Sequence, residues 1–196
     1  MPELGTFTGN RGCLVDDDGR IVRHHRGDLW ITCLLSYKGW RSPLEQPSHW
    51  TPLFFLDDAV ALAAGHRPCG LCRRGDYVSY RHAVQRGLGL DDPPSATDLN
   101  RRLANERLDR GRGLVRARDR KTWSAPAAAI PDGTVVLDGG RRPHLVREDS
   151  LREFSFGGWS QARPMPRGDL EVLTPPTSVA ALASGFEPRL HATAAR

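Results

Sequence analysis

Residues 54–74, FFLDDAVALAAGHRPCGLCRR, constrain the fold of this chain more than any other stretch. Phe54 and Phe55 end an extended run, and Asp57 or Asp58 can accept the free N–H groups that open a following helix. The Ala-rich run 59–64 is short, apolar and mostly helix-forming, so the helix can lie close to whatever it covers. Gly65 stands where a left-handed residue ends a helix, and Pro68 prevents its resumption. Cys69-Gly-Leu-Cys72 follows at once. Two thiolates at that spacing can face one metal ion, with Arg67, Arg73 and Arg74 helping to keep them deprotonated. A redox pair or two packed thiols are the alternatives. A thioredoxin-type pair, however, follows a strand and opens a helix, whereas this one follows a helix stop.

The run ALAAGHRPCGLC resembles the second half of the zinc site in the N-terminal domain of Ada-type methyl phosphotriester-repair proteins. The likeness is close over Leu62–Cys72 and loose over Trp30–Arg74. It implies a zinc ion held by four cysteines, two of them at the end of an upstream strand, with one thiolate accepting an alkyl group. Trp30-Ile-Thr-Cys33 matches that strand end, but Tyr37 stands where its second thiol is expected. The acceptor chemistry therefore does not carry over with the motif. The whole chain also resembles a family of bacterial proteins of similar length, one without an established activity.

The expected metal ligands are Cys69, Cys72, Cys33 and Cys13, and the expected ion is Zn2+. Cys33 is the natural third ligand and Cys13 the fourth by count, against the plain alternative of buried strand thiols. In a simple meander Cys13 and Cys33 would lie about 9–10 Å apart, two strand spacings. Two sulfurs on one tetrahedral zinc lie under about 4 Å apart. Side chains or a different strand order must close that gap. His66, His24, His25 and His191 are reserves, His66 occupying a Phe position of the Ada pattern and expected at the surface or beside the ligands.

The rest of the chain surrounds this stretch with short elements. Cys13–Val15 and Ile21–Val22 flank Asp18-Gly19 and predict a hairpin; residues 29–37 and 51–56 predict two further strands. Helices are expected over 76–86, ended by Gly87, and over 96–110, with Leu99, Leu103 and Leu108 inward and Gly111 as stop. Residues 133–137 and 144–147 predict another hairpin, 154–159 and 170–173 further strands, and 178–184 a last helix. The expected class is α+β: an N-terminal meander with short helices around a zinc site, an Arg-rich helix, and a small β-rich part. The divisions fall at 1–90, 91–124 and 125–196, which one continuous domain could also contain. Ala181-Leu-Ala-Ser-Gly-Phe-Glu-Pro188 repeats Ala61-Leu-Ala-Ala-Gly-His-Arg-Pro68, with Arg189 and Ala192 in place of the cysteines. Eight residues are too few to prove duplication, yet they suggest one packing problem solved twice.

Charge raises the question of partners. Of the 28 basic residues all but Lys38 and Lys121 are Arg, and the net charge is +5. Residues 101–121 hold nine basic side chains against Glu106, Asp109 and Asp119. A solvated helix with Glu106 paired to Arg102 and Arg110 is the plain reading. A phosphate-binding stripe of Arg101, Arg102, Arg112, Arg116, Arg118 and Lys121 is the sharper one, with DNA or RNA as partner. No membrane segment is expected, and four cysteines with one C-x-x-C suit a cytoplasmic protein. Three functions remain open: a zinc-stabilised nucleic-acid-binding protein, an alkyl-transfer enzyme whose candidate thiolates are Cys33 and Cys13, and a zinc-stapled protein-interaction domain.

Overall fold

The computed structural model describes residues 5–39, 49–111 and 113–195. Its first sheet has four strands, β1 (Phe7–Asn10), β2 (Ile31–Leu34), β3 (Pro52–Phe55) and β4 (Arg67–Pro68), in the order β3-β1-β2-β4. This order replaces the expected meander. β1 pairs antiparallel with both β2 and β3, while β4 runs parallel to β2. The expected first strand, Cys13–Val15, is reduced to a single bridge between Val15 and Ile21. The Asp16 carboxylate accepts the N–H groups of Asp18 and Arg20, so the chain closes a local turn there instead of extending a ladder.

Helix α1 (Asp58–Ala63) follows β3, with Asp57 as its N-cap accepting the Val60 N–H at 3.0 Å. Helix α2 spans Arg74–Leu88 and α3 spans Ala96–Arg107. Both depart from expectation at their C-terminal ends. Gly87 lies inside α2 because that helix packs on a later one; a Cβ at Gly87 would meet the Ala180 carbonyl at 2.3 Å. The left-handed stop is Gly89. α3 ends at Arg107 because Leu108 turns extended and bridges to Arg120.

The second sheet joins β5 (Trp123–Pro126), β6 (Val135–Leu137), β7 (Pro143–Arg147), β8 (Ser150–Ser155), β9 (Gly158–Trp159), β10 (Arg163–Pro164) and β11 (Asp169–Val172). Its order is β10-β8-β7-β6-β11-β5, with β9 folded back on β8. The stretch 154–159 is thus a tight reversal, Phe154 facing Trp159, and not one strand. Helix α4 (Pro176–Ala183) closes the fold.

These parts share their cores, and the class is α+β. Leu62, Tyr77, Tyr80, Leu99, Leu182 and Phe186 form one apolar cluster. Leu56, Ala59 and Ala63 of the first part pack with Val135, Leu145 and Trp159 of the second sheet in another. Glu106 takes neither Arg102 nor Arg110 as partner; it accepts the Thr177 N–H at 2.9 Å and hydroxyl at 2.6 Å, capping α4 from a distance. No helix among the described residues is long and apolar enough to cross a membrane.

Candidate metal centre

Three of the four cysteines meet. The sulfurs of Cys33, Cys69 and Cys72 all lie within 4.8 Å of one another. The local sequence explains why. α1 stops at Gly65 (φ 81), whose N–H donates to Leu62 O at 2.8 Å while the His66 N–H donates to Ala61 O at 2.9 Å. That pair of bonds reverses the chain. β4 then enters the sheet parallel to β2, with Thr32 opposite Pro68. A proline is tolerated here because β4 is an edge strand. The Cys69 N–H continues the ladder to Thr32 O at 3.0 Å, which sets Cys69 beside Cys33.

The turn that follows is pinned from behind. Arg73 is fully buried and grips Asp58 with two bonds of 2.7 Å, donates to Thr32 Oγ1 at 2.8 Å, and reaches Asp76. Its guanidinium also lies 3.9 Å over the Phe7 ring. One side chain therefore ties the start of α2 to α1, to β2 and to β1. Such a bidentate, desolvated pair costs about 3–5 kcal/mol when one partner is removed. The expectation that Arg73 steadies the sulfurs electrostatically is replaced by this structural task. Arg67 bonds Asn100 and the Pro68 carbonyl, and its cation also interacts favourably with the Cys69 thiolate.

Hydrogen bonds and burial are the larger influences on the thiols. The Cys33 S–H donating to Cys69 is the largest influence and, with backbone N–H groups of Leu71 and Cys72 against the opposing effect of burial, draws Cys69 down to about 5. Cys33 moves upward, first because it is that donor and then through burial. Cys72 is raised mainly by burial. Cys69 is the natural first thiolate, and the others follow when a cation compensates the charge. Bond lengths of about 2.3 Å place sulfurs on one tetrahedral ion under about 4 Å apart, and a cluster within 4.8 Å is of that size. The donor set fits zinc. Cys69 and Cys72 do follow a strand and precede a helix, so the contrast with a redox pair fails in this form. What separates the two readings is Cys33, a third thiol that a redox pair does not need.

Cys13 stands outside the group. It is buried and its thiol donates to the Val15 carbonyl at 3.4 Å. Among the described residues no His, Asp or Glu joins the three cysteines. His66 is neither at the surface nor a ligand: it is wholly buried between the rings of Trp30 and Phe55, at 5.2 and 4.7 Å. His24 and His25 bond one another at 3.0 Å, and His191 bonds Thr193.

The basic stripe separates into unlike parts. Arg101 is exposed and paired with Asp98 at 2.6 Å; Arg102 and Arg118 are exposed. Arg116 is buried, donating to the carbonyls of Asp109 and Gly111 and paired with Asp119. Lys121 donates to Asn105 O at 2.9 Å. Arg112 lies outside the described residues. Sequence reasoning missed the cations that gather around Trp30: Arg107 at 3.6 Å and Arg11 at 4.0 Å over its ring. Burial pulls Arg107 down to about 9 and Arg11 to about 10, leaving both charged at neutral pH. The spacing of Arg107, four after Leu103 and eight after Leu99, was the available signal that it faces inward.

Comparison with family models, with curated proteins and with solved structures gave no match.

Proposed function

We propose that this chain is a zinc-stabilised nucleic-acid-binding protein in which Cys33, Cys69 and Cys72 hold the metal. The convergence of three thiols from β2 and the turn before α2 carries the metal half of the reading. When bound, zinc would keep the sulfurs as thiolates and fasten that turn to the sheet. The nucleic-acid half draws support from the net charge of +5 and from a cleft of about 330 Å3 lined in part by His25, Arg107, Arg110 and Arg116. Asp28 and Asp109 also border that cleft, which favours a few phosphate contacts over a long track.

The test has two separable arms. Metal analysis of the purified chain is expected to give one zinc per chain, and none in Cys69→Ser. Binding to single- and double-stranded DNA and RNA is expected to weaken with salt at a log–log slope of about −0.9 per phosphate contact on duplex DNA. Replacing Arg102, Arg110 and Arg118 together by Ala should flatten that slope and leave the zinc content unchanged. Absence of binding at low salt would remove the nucleic-acid half alone.

Thiolate alkyl transfer is the second reading. It is favoured by one observation: the three thiols have no fourth protein ligand among the described residues, and Cys33 and Cys72 are only half-buried. In such a step a cysteine sulfur would form the S–C bond as the alkyl C–O bond of a phosphotriester breaks, and the phosphodiester would leave with the electron pair. Mass spectrometry after incubation with methylated DNA should then show a single added methyl group on one of these cysteines.

A further inference from the structure

A cavity of about 250 Å3 lies between α1 and the second sheet, apart from the thiol cluster. Its walls include Val60, Val135, Phe154, Trp159 and Leu173. Arg11, His24 and Arg120 bring its polar groups. Two guanidiniums and one imidazole thus border a largely apolar space.

Neither has a counter-ion among the described residues. The charge that bears on Arg11 is Arg120, another cation, and burial alone acts on Arg120. Arg11 donates to neutral acceptors, His66 Nε2 at 3.3 Å and His24 Nε2 at 3.1 Å. Arg120 donates to the Ala63 carbonyl. Most N–H groups of both forks remain without an acceptor. Both side chains are half-buried, so their unpaired N–H groups are open to an incoming anion, which would offset the repulsion between the two like charges.

We propose that this cavity binds a small anion with a hydrocarbon body: a carboxylate or phosphate group against Arg11 and Arg120, and an aromatic or branched aliphatic part against Val60, Phe154 and Trp159. The planar fork of Arg meets either oxyanion with two bonds. Size agrees, since an apolar cavity of about 150 Å3 takes one benzene ring, and this one leaves room for an anionic head. A nucleobase is disfavoured. Its polar edge needs partners, yet the indole N–H of Trp30 is bonded to Gly27 O and that of Trp159 to Asp57. This site depends on neither the metal nor the nucleic-acid reading.

The chain is titrated with phenylacetate, phenyl phosphate, phenylacetamide and adenosine monophosphate, followed by tryptophan fluorescence and calorimetry. At least one of the two phenyl anions is expected to saturate, and the tighter one identifies the head group. The uncharged amide should bind about tenfold or more weakly, the loss of one charged hydrogen-bonded contact. Arg120→Met should lose binding to a similar degree, and Val60→Phe, which fills the cavity, should abolish it. If Arg120→Met unfolds, the amide comparison and Val60→Phe still decide. No saturation by either anion at millimolar concentration, equal binding of amide and anion, or full binding by Val60→Phe would overturn the proposal. Tighter binding of adenosine monophosphate than of phenyl phosphate would overturn the hydrocarbon body.

Discussion

α1 and α4 end in the same pair of backbone bonds. The His66 N–H meets Ala61 O at 2.9 Å and the Phe186 N–H meets Ala181 O at 3.0 Å; Gly65 and Gly185, at φ 81 and 90, bond Leu62 and Leu182. The residue after each glycine is a buried aromatic ring, His66 against Phe55 and Phe186 against Tyr80. Beyond the prolines the two differ. The first turn enters the sheet and delivers Cys69 and Cys72 to Cys33. The second runs to the start of α1, where the Arg189 N–H donates to Asp58 at 3.0 Å and the His191 N–H to Asp57 at 3.1 Å. The repeated sequence is therefore a device for stopping and reversing a helix. The thiols are an addition to one copy, and Asp58 joins the two, holding Arg73 of the first and the backbone of the second.

Breaking the chemistry of one copy should have the largest effect. Cys69→Ser is expected to lose the metal, whose binding in small domains is worth on the order of 10 kcal/mol. Its counterpart Arg189→Ala removes only an exposed pair with Asp76 and should cost about 0–1 kcal/mol. Thermal unfolding with metal analysis compares them; equal losses would dissolve the distinction.

Asp58→Asn tests the joint. It leaves the buried Arg73 with Asp76 as its one remaining carboxylate, and denaturant unfolding should show a loss of about 3 kcal/mol, the low end for breaking a buried pair. The glycines then sharpen the likeness. A Cβ on Gly65 would meet Arg107 Cδ at 2.6 Å, whereas on Gly185 the nearest atom is Arg86 Nη2 at 3.6 Å. Gly65→Ala should cost about 2–3 kcal/mol and Gly185→Ala about 1, both from the left-handed backbone and the first also from the clash.

The smallest effect concerns pH. Burial first, then the charges of Arg11, Arg107 and Arg120, hold His66 well below 6.5, with the Ala64 backbone working weakly the other way. The folded state keeps this ring neutral while the unfolded chain protonates it. Its stability contribution is complete above the unfolded value and is lost as pH falls below it. His66→Phe, which copies Phe186, removes that loss. The stability gap between wild type and variant should change by up to about 1.4 kcal/mol per pH unit below 6.5 in favour of the variant. Both proteins carry the same thiols, so metal release cancels in the difference. A constant gap would mean that His66 titrates normally.

The sequence by itself determined what is local. A capping Asp at 57 or 58, Gly65 as a stop and the 133–147 hairpin are each written in a few adjacent residues, because capping and turn chemistry act over one turn of chain. The C-x-x-C pair and its third thiol were legible for the same reason, through a strand end and a helix stop of known form. Tertiary structure alone decided strand order, that Cys13 stays apart from the other three thiols, and the fate of the arginines. β1 is four residues long, too short to show a period, yet it separates β2 from β3 and so leaves Cys13 away from the cluster. A charge run looks uniform in sequence, but Arg107, Arg116 and Arg120 differ from Arg102 and Arg118 only in which way the backbone turns them. Arg116 is turned in by its own loop, through Asp109, Gly111 and Asp119, whereas the carbonyls and the ring that Arg107 and Arg120 meet come from segments far away along the chain, which local sequence does not name.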